Sequence, residues 1–367
     1  MTDLDESWWV RVLAGPGGDL HAATADERYV ALPRSSDPRV VVDSSSRLAV
    51  RDAVERFVAS RTENSMLRMV AGRGAPLVAK TKSVWSVTPS ASNDTLRAHL
   101  SEVLGEHVRL AVAVGPPRPN RKPVVRCYNE TELIAVAKLG PDPHTASMVS
   151  NESHWLRTLE SEPLAGVSTP RLLHAGEFGD SNLLVMSAMD LKSDLGLAFA
   201  DVPLSVVREL CERHRSGPLG ESSWWSALLD RLDRPELAAI AEQARSTQVD
   251  PRFDQLETSA WHGDWSPWNM GTSTSGDLYV WDWERTTIGV PVGFDLLHLH
   301  YQYGAGLDAA DDDLRSLDVP DIQHELVKRL YLFEVCARHA DADALHGDRH
   351  VRAVEALERL QSPGPVT

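Results

Sequence analysis

Three apolar runs follow one another between residues 108 and 139: VRLAVAVG (108–115), PVVRCYN (123–129) and LIAVAKL (133–139). A Pro-rich basic stretch, PPRPNRK, separates the first two, and the short polar ETE separates the second from the third. That pattern predicts antiparallel strands joined by turns. A helical stretch, SMVSNESHWLRTLES, and another apolar strand, NLLVMSAMD (182–190), come next. From residue 191 the period changes. PLSVVRELCERH, SWWSALLDRLD, PELAAIAEQARS, GFDLLHLHYQYG and the stretch 321–360 carry apolar residues at helical spacing. Within this half, WNMGTSTSGDLYVWDWE stands apart as two short β runs about a turn at Ser275-Gly276. A mostly antiparallel sheet with a packed helix, followed by a helical half, makes the chain an α+β protein.

The first hundred residues read as a small α/β unit. RVVVD (39–43) and SVWSVTP (83–89) are strand candidates, and RLAVRDAVERFVAS (47–60) has helical spacing. SASNDTLRAHLSEVLG (90–105) is a helix with a polar cap region at its start and Gly105 at its end. The expected organisation is therefore an accessory α/β segment over 1–104, a β-rich lobe over 105–190 and a helical lobe over 191–367. At 367 residues, two or three lobes are the natural division.

Composition excludes several classes of function. No run approaches the eighteen apolar residues of a membrane helix. The start, MTDLDESWWVRVLAG, is acidic where an export signal is basic, so a cytoplasmic protein is expected. Cys127, Cys211 and Cys336 are odd in number, far apart and without a CxxC, as buried thiols of a cytosolic protein would be. Residues 191–367 hold 16 Lys and Arg against 30 Asp and Glu, which is nearly all of the net charge of −16. Such a lobe disfavours nucleic acid and draws cationic small molecules.

The acidic residues that matter most lie in WHGDWSPWNM (261–270) and WDWE (281–284). Asp264, Asn269 and Asp282 are hard oxygen donors that flank the hairpin, which brings them to one end. Phosphoryl transfer needs a carboxylate to orient an attacking hydroxyl, and an Asn and an Asp to hold magnesium. HGD recurs at His346, Gly347 and Asp348, but there the fifth residue after the aspartate is Ala353 and no hairpin follows. That second copy reads as a solvated turn. Upstream, Lys138 sits among apolar residues at the end of a strand and needs a partner. Glu152, fourteen positions later on the next predicted helix, supplies one.

These segments resemble the aminoglycoside phosphotransferase and choline kinase group, small-molecule kinases with a protein-kinase-like fold. The resemblance runs from about residue 105 to the C-terminus and rests on AVAKLG, NESHWLRTL, HGDWSPWN and VWDWE. It implies a bilobal fold and a transfer of the γ-phosphate of ATP, with Mg2+, to a hydroxyl of a small molecule. Asp264 resembles the catalytic base, Asn269 and Asp282 the magnesium ligands, Lys138 the phosphate-gripping lysine and Glu152 its partner. VMSAM (185–189), with Ser187 and Met189, falls where the group's hinge binds adenine. The turn over the phosphates, GPPRPNRKP, departs from the glycine-rich pattern, so Gly115, Asn120 and Arg121 are its substitutes.

Asp295 is expected to cap the following helix and brace the catalytic loop, while His298 and His300 read as core or surface histidines. Trp261, Trp265, Trp268, Trp281 and Trp283 read mainly as core around the site, with Trp265 or Trp268 available to stack on an acceptor. Two other functions compete. A peptide or protein kinase needs more room than the thirteen-position separation of Asp282 and Asp295. An inactive nucleotide-binding module would lack an essential position, and none is missing. The charge of the helical lobe points to an amine-bearing acceptor such as an amino sugar or aminoglycoside. The sequence indicates no oligomeric state.

Overall fold

The computed structural model describes residues 8–15, 18–22, 28–34, 37–59, 85–88, 94–114, 121–191, 197–342, 345 and 347–360. Two compact units emerge, one of residues 1–157 and 170–188, the other of residues 158–169 and 189–367.

The first unit is built on one sheet. Its strands are β1 (Asp19–Ala22), β2 (Tyr29–Arg34), β3 (Asp37–Asp43), β4 (Trp85–Thr88), β5 (Arg109–Val114), β6 (Pro123–Tyr128), β7 (Leu133–Gly140), β9 (Leu172–Phe178) and β10 (Ser181–Ser187). Among the described residues the sheet has nine strands in the order β1-β4-β2-β3-β5-β6-β7-β10-β9. The three central runs pair antiparallel as the turns between them predict, and Val124 and Leu184 stand opposite Lys138 on the two flanking strands. β3 pairs antiparallel with β5, so strands from before residue 104 continue the sheet formed after it.

Strict alternation along β5 decides what covers each face. Leu110 and Val112 enter one core with helices α1 (Trp8–Ala14) and α3 (Leu96–Leu104), through Trp9, Leu13, Leu96 and Leu100. Ala111 points the other way, into a core with Ala49, Val50 and Ala53 of α2 (Arg47–Ala59). A residue slip would exchange these faces. Helix α3 starts at Leu96, after the polar cap region rather than at residue 90: Thr95 Oγ1 accepts from the Ala98 amide at 3.2 Å, and Gly105 ends it in the left-handed region as expected. Helix α4 (Pro143–Ser161) follows β7.

The second unit is mainly helical: α5 (Leu204–Arg213), α6 (Ser223–Leu232), α7 (Ala238–Thr247), α8 (Phe294–Gln302), α9 (Asp311–Arg315), α10 (Asp321–Asp341) and α11 (Asp348–Arg359). Two small sheets interrupt the helices. β11 (Ser216–Pro218), β12 (Glu257–Trp261) and β15 (Thr287–Pro291) form one, and β13 (Met270–Thr272), β14 (Leu278–Val280) and β8 (Val167–Ser168) form the other. The expected hairpin is present, with Met270, Gly271 and Thr272 opposite Val280, Tyr279 and Leu278. The three cysteines are free and buried, and burial pushes the Cys127 thiol up to about 12. Among the described residues no helix is long and apolar enough to cross a membrane.

Candidate active site

Strand β12 delivers the chain to His262, Gly263 and Asp264, and every backbone polar group of those three residues is engaged. Asp295, in the first turn of α8, accepts from the His262 amide at 2.6 Å through Oδ2 and from the Gly263 amide at 3.2 Å through Oδ1. Thr286 Oγ1 donates to the His262 carbonyl at 3.3 Å, and the Arg338 guanidinium donates to the Gly263 carbonyl. The Asp264 amide donates to His262 Nδ1 at 3.2 Å. The Asp264 carbonyl accepts from Ser266 Oγ at 3.2 Å and from Asn269 Nδ2 at 3.0 Å. A loop satisfied at this level has one low-energy conformation. Gly263 is required within it: its φ is +83°, and an added Cβ would lie 2.6 Å from the Arg285 carbonyl oxygen.

Asp295 therefore braces the loop as expected, but it does not cap α8. The cap position is Gly293, and the Asp295 carboxylate turns back to the loop. Burial pushes that carboxyl up to about 7, against the lowering effect of its two amide donors. Arg338, which holds the Gly263 carbonyl, stacks 4.2 Å from the centroid of the Trp261 ring and donates to Glu334 at 2.8 Å. Glu334 also accepts from Arg231 at 2.9 Å and from the Trp224 indole at 3.3 Å. The basic groups hold the Glu334 carboxyl below its ordinary value although burial opposes them.

The tryptophans answer to two roles. Trp261, Trp265 and Trp283 are fully buried, with their rings edge-on to His262 or Phe294 at centroid distances of 4.5–5.5 Å. Trp265 is thus core and offers no surface for stacking. Trp268, between Asp264 and Asn269, is 47% exposed, and the Arg349 guanidinium lies 5.7 Å from its ring centroid. The second HGD is different in kind: Asp348 is exposed, and it opens helix α11 rather than lying in a turn.

The carboxylate of Asp264 is partly open, with 23% of its side chain exposed. Oδ2 accepts from Asn269 Nδ2 at 3.0 Å, and Oδ1 lies 3.3 Å from His298 Nε2. Burial works to raise this carboxyl, but the hydrogen bond and charge of His298, with Arg285 and His262, hold it well below the usual range. His262 is neutral: its Nε2 faces the Trp281 carbonyl at 3.1 Å and burial lowers its pKa to about 4. With its Nδ2 spent on Asp264, Asn269 keeps its carboxamide oxygen for another partner. Asp282 ends the hairpin in the left-handed region, φ 70°, an uncommon place for a residue with a Cβ. It offers a carboxylate oxygen within 4.8 Å of one from Glu284, a pair of hard oxygen donors of the kind a small divalent cation takes.

The first unit brings Lys138 and Glu152 together. Lys138 Nζ lies 2.7 and 2.6 Å from the two carboxylate oxygens of Glu152, both side chains being buried between β7 and α4. β10 ends at Ser187, whose amide donates to the Arg171 carbonyl at 2.9 Å, and the Ala188 amide donates to the Ile134 carbonyl at 3.1 Å. Met189, half-buried, follows. Arg121 is half-buried ahead of β6, while Gly115 and Asn120 lie outside the described residues. Sequence reasoning missed two residues here, Glu284 and His298. The first stood in the quoted WDWE; the second, read as a core or surface histidine, is buried but directed at Asp264.

The fold is the protein-kinase-like fold of the aminoglycoside phosphotransferases. A thermostable mutant of aminoglycoside phosphotransferase APH(4)-Ia in its apo form is similar over 74% of this chain and 100% of its own, with 13% identity and a TM-score of 0.52. A thermostable mutant of the same protein in ternary complex with ADP and hygromycin B is similar over 74% and 99%, with 12% identity and a TM-score of 0.51. Choline kinase LicA from Streptococcus pneumoniae shares 16% identity over 72% of this chain and 98% of its own, with a TM-score of 0.49. At these identities the likeness is one of fold. No protein-family model matches the chain, and no curated protein does.

Proposed function

We propose that the protein is an ATP-dependent kinase that transfers the γ-phosphate to a hydroxyl of a small molecule. One observation carries this reading: a partly open carboxylate, Asp264, on a loop whose every backbone polar group is engaged, hydrogen-bonded to an Asn that keeps its own oxygen free of Asp264. Such a loop holds a base still without filling the space in front of it. In this mechanism Asp264 takes the proton of the acceptor hydroxyl. The acceptor oxygen forms its bond to the γ-phosphorus as the bond from that phosphorus to the diphosphate oxygen breaks. Asn269 and Asp282 would hold magnesium, which when bound supplies positive charge to the phosphate oxygens. Lys138, oriented by Glu152, meets the α- and β-phosphates, and Ser187 and Met189 lie on the segment that takes adenine.

A small acceptor is favoured over a peptide. The twelve residues between Asp282 and Asp295 hold the turn Trp283–Arg285 and β15, which is paired to β12. That leaves no segment of the length a peptide platform needs. The acceptor class we propose is an amine-bearing one, an amino sugar, aminoglycoside or other amine, because residues 191–367 carry 30 acidic against 16 basic side chains. The test is ADP formation from MgATP across a panel of hydroxylated compounds, with Asp264→Asn alongside. The amide cannot accept the hydroxyl proton, so kcat should fall roughly a hundredfold to ten-thousandfold while ATP still binds. Retention of more than a tenth of kcat would remove Asp264 from the role of base. Asp348→Asn, in the second HGD, should leave kcat unchanged.

A further inference from the structure

His298 lies on α8, one turn after Asp295, and is buried. Its Nε2 is 3.3 Å from Asp264 Oδ1 and its Nδ1 is 3.0 Å from the hydroxyl of Tyr331, which is fully buried on α10. Gln302, the next turn of α8, places its amide nitrogen 3.3 Å from the same Nε2. Trp261 closes the remaining side, edge-on to the imidazole at a centroid distance of 6.2 Å.

These contacts decide the tautomer. If Nε2 carried a lone pair, it would face a carboxylate oxygen across 3.3 Å, two acceptors with no proton between them. With the proton on Nε2, that contact is a charge-assisted hydrogen bond, and the Tyr331 hydroxyl donates to Nδ1. The carboxamide of Gln302, turned so that its oxygen faces Nε2, shares the same proton; oxygen and nitrogen of an amide are exchanged by a half turn. Burial raises the Tyr331 phenol well above its ordinary pKa, so it stays a donor.

We propose that His298 is the positioning residue of the base: its Nε2–H holds Asp264 Oδ1, and Tyr331 holds the imidazole in the tautomer that lets it do so. The inference rests on the reading of Asp264 as base. Between His298 on Oδ1 and Asn269 on Oδ2, the carboxylate plane is fixed from both sides, while each oxygen keeps lone-pair capacity for the acceptor hydroxyl. His298 touches neither acceptor nor nucleotide in this role and acts through Asp264 alone.

Four variants test it, with MgATP as the probe and ADP release as the readout, water serving as acceptor until a hydroxyl compound is found. His298→Leu should lower kcat at least about tenfold and leave the KM for ATP within about twofold, because the loss is confined to positioning the base. His298→Gln, whose amide can donate in place of Nε2–H, should return kcat to within about threefold of the wild type. Tyr331→Phe should fall between the two. In an Asp264→Asn background, His298→Leu should cause no additional loss, since two residues acting through one step are not additive. Histidine ring 15N spectra of the wild type should show His298 protonated at Nε2.

Equal loss in the Leu and Gln variants would assign His298 to packing, and so would a multiplicative loss in the double variant. A wild-type kcat in His298→Leu, with its melting temperature unchanged, would overturn the proposal while leaving Asp264 in place. A proton found on Nδ1 alone would overturn it without reference to activity. Full activity in Asp264→Asn would instead refute the base assignment, and the positioning role would fall with it.

Discussion

Asp295→Ala tests whether the loop under Asp264 is held from α8. The substitution removes the acceptor for two buried amides, His262 N–H at 2.6 Å and Gly263 N–H at 3.2 Å. A buried donor left unsatisfied costs about 1–3 kcal/mol, so two cost about 2–6 kcal/mol. Relief of a buried carboxylate offsets part of that, and a net loss of about 3 kcal/mol is expected. For a folding unit of this size, each kcal/mol lowers the melting temperature by about 2–4 °C, which predicts a drop of about 6–12 °C. The kcat should fall with it, because the loop sets the position of Asp264.

The isosteric Asp295→Asn variant adds a pH arm. Burial holds the Asp295 carboxyl up to about 7, above its unfolded value near 3.8. A raised carboxyl pKa means that the folded state binds the proton more tightly between those values. Its contribution to stability is then fully present below about pH 4 and lost as the pH rises through about 7. The wild type should therefore lose more stability from pH 5 to pH 8 than Asp295→Asn, which has no such proton. Differential scanning calorimetry at both pH values measures all of this. A melting temperature for Asp295→Ala within 1 °C of the wild type, with unchanged kcat, would refute the brace.

Lys138→Met should raise the KM for ATP at least about tenfold with little change in the acceptor KM, as checked by initial rates, because the residue proposed to meet the α- and β-phosphates is lost. Asp282→Ala should abolish the magnesium dependence of ATP binding; calorimetry with and without magnesium decides this, and equal dependence in mutant and wild type would place the metal elsewhere. Raising salt from low to physiological concentration should raise the KM of a cationic acceptor and leave that of its neutral analogue unmoved, since exposed charges are screened beyond about 8 Å. A flat acceptor KM would make the acidity of the helical half a matter of solubility.

Local signals carried much of this protein. The apolar runs VRLAVAVG and LIAVAKL, set off by turn residues, specified strands, a polar cap region and Gly105 bounded a helix, and Ser275-Gly276 specified a hairpin with Asn269 and Asp282 at its ends. The pairing of Lys138 with Glu152 was legible because a charge among apolar residues must find a partner within reach, and the following helix offered one. Tertiary structure decided what depends on residues far apart in sequence. β3 pairs with β5 across more than sixty residues, so the opening strands share the sheet of the later ones, and no short-range pattern encodes which edge a strand will join. Asp295 reads locally as the first turn of a helix, yet its carboxylate is spent 33 positions upstream on His262. His298 has the spacing of a core residue and is one, and only the folded chain turns its Nε2 toward Asp264, 34 positions away. Periodicity records which side of an element is buried; what a buried polar group meets there is set by the packing of elements, because a hydrogen bond needs an atom at about 3 Å, a condition that only the folded chain satisfies.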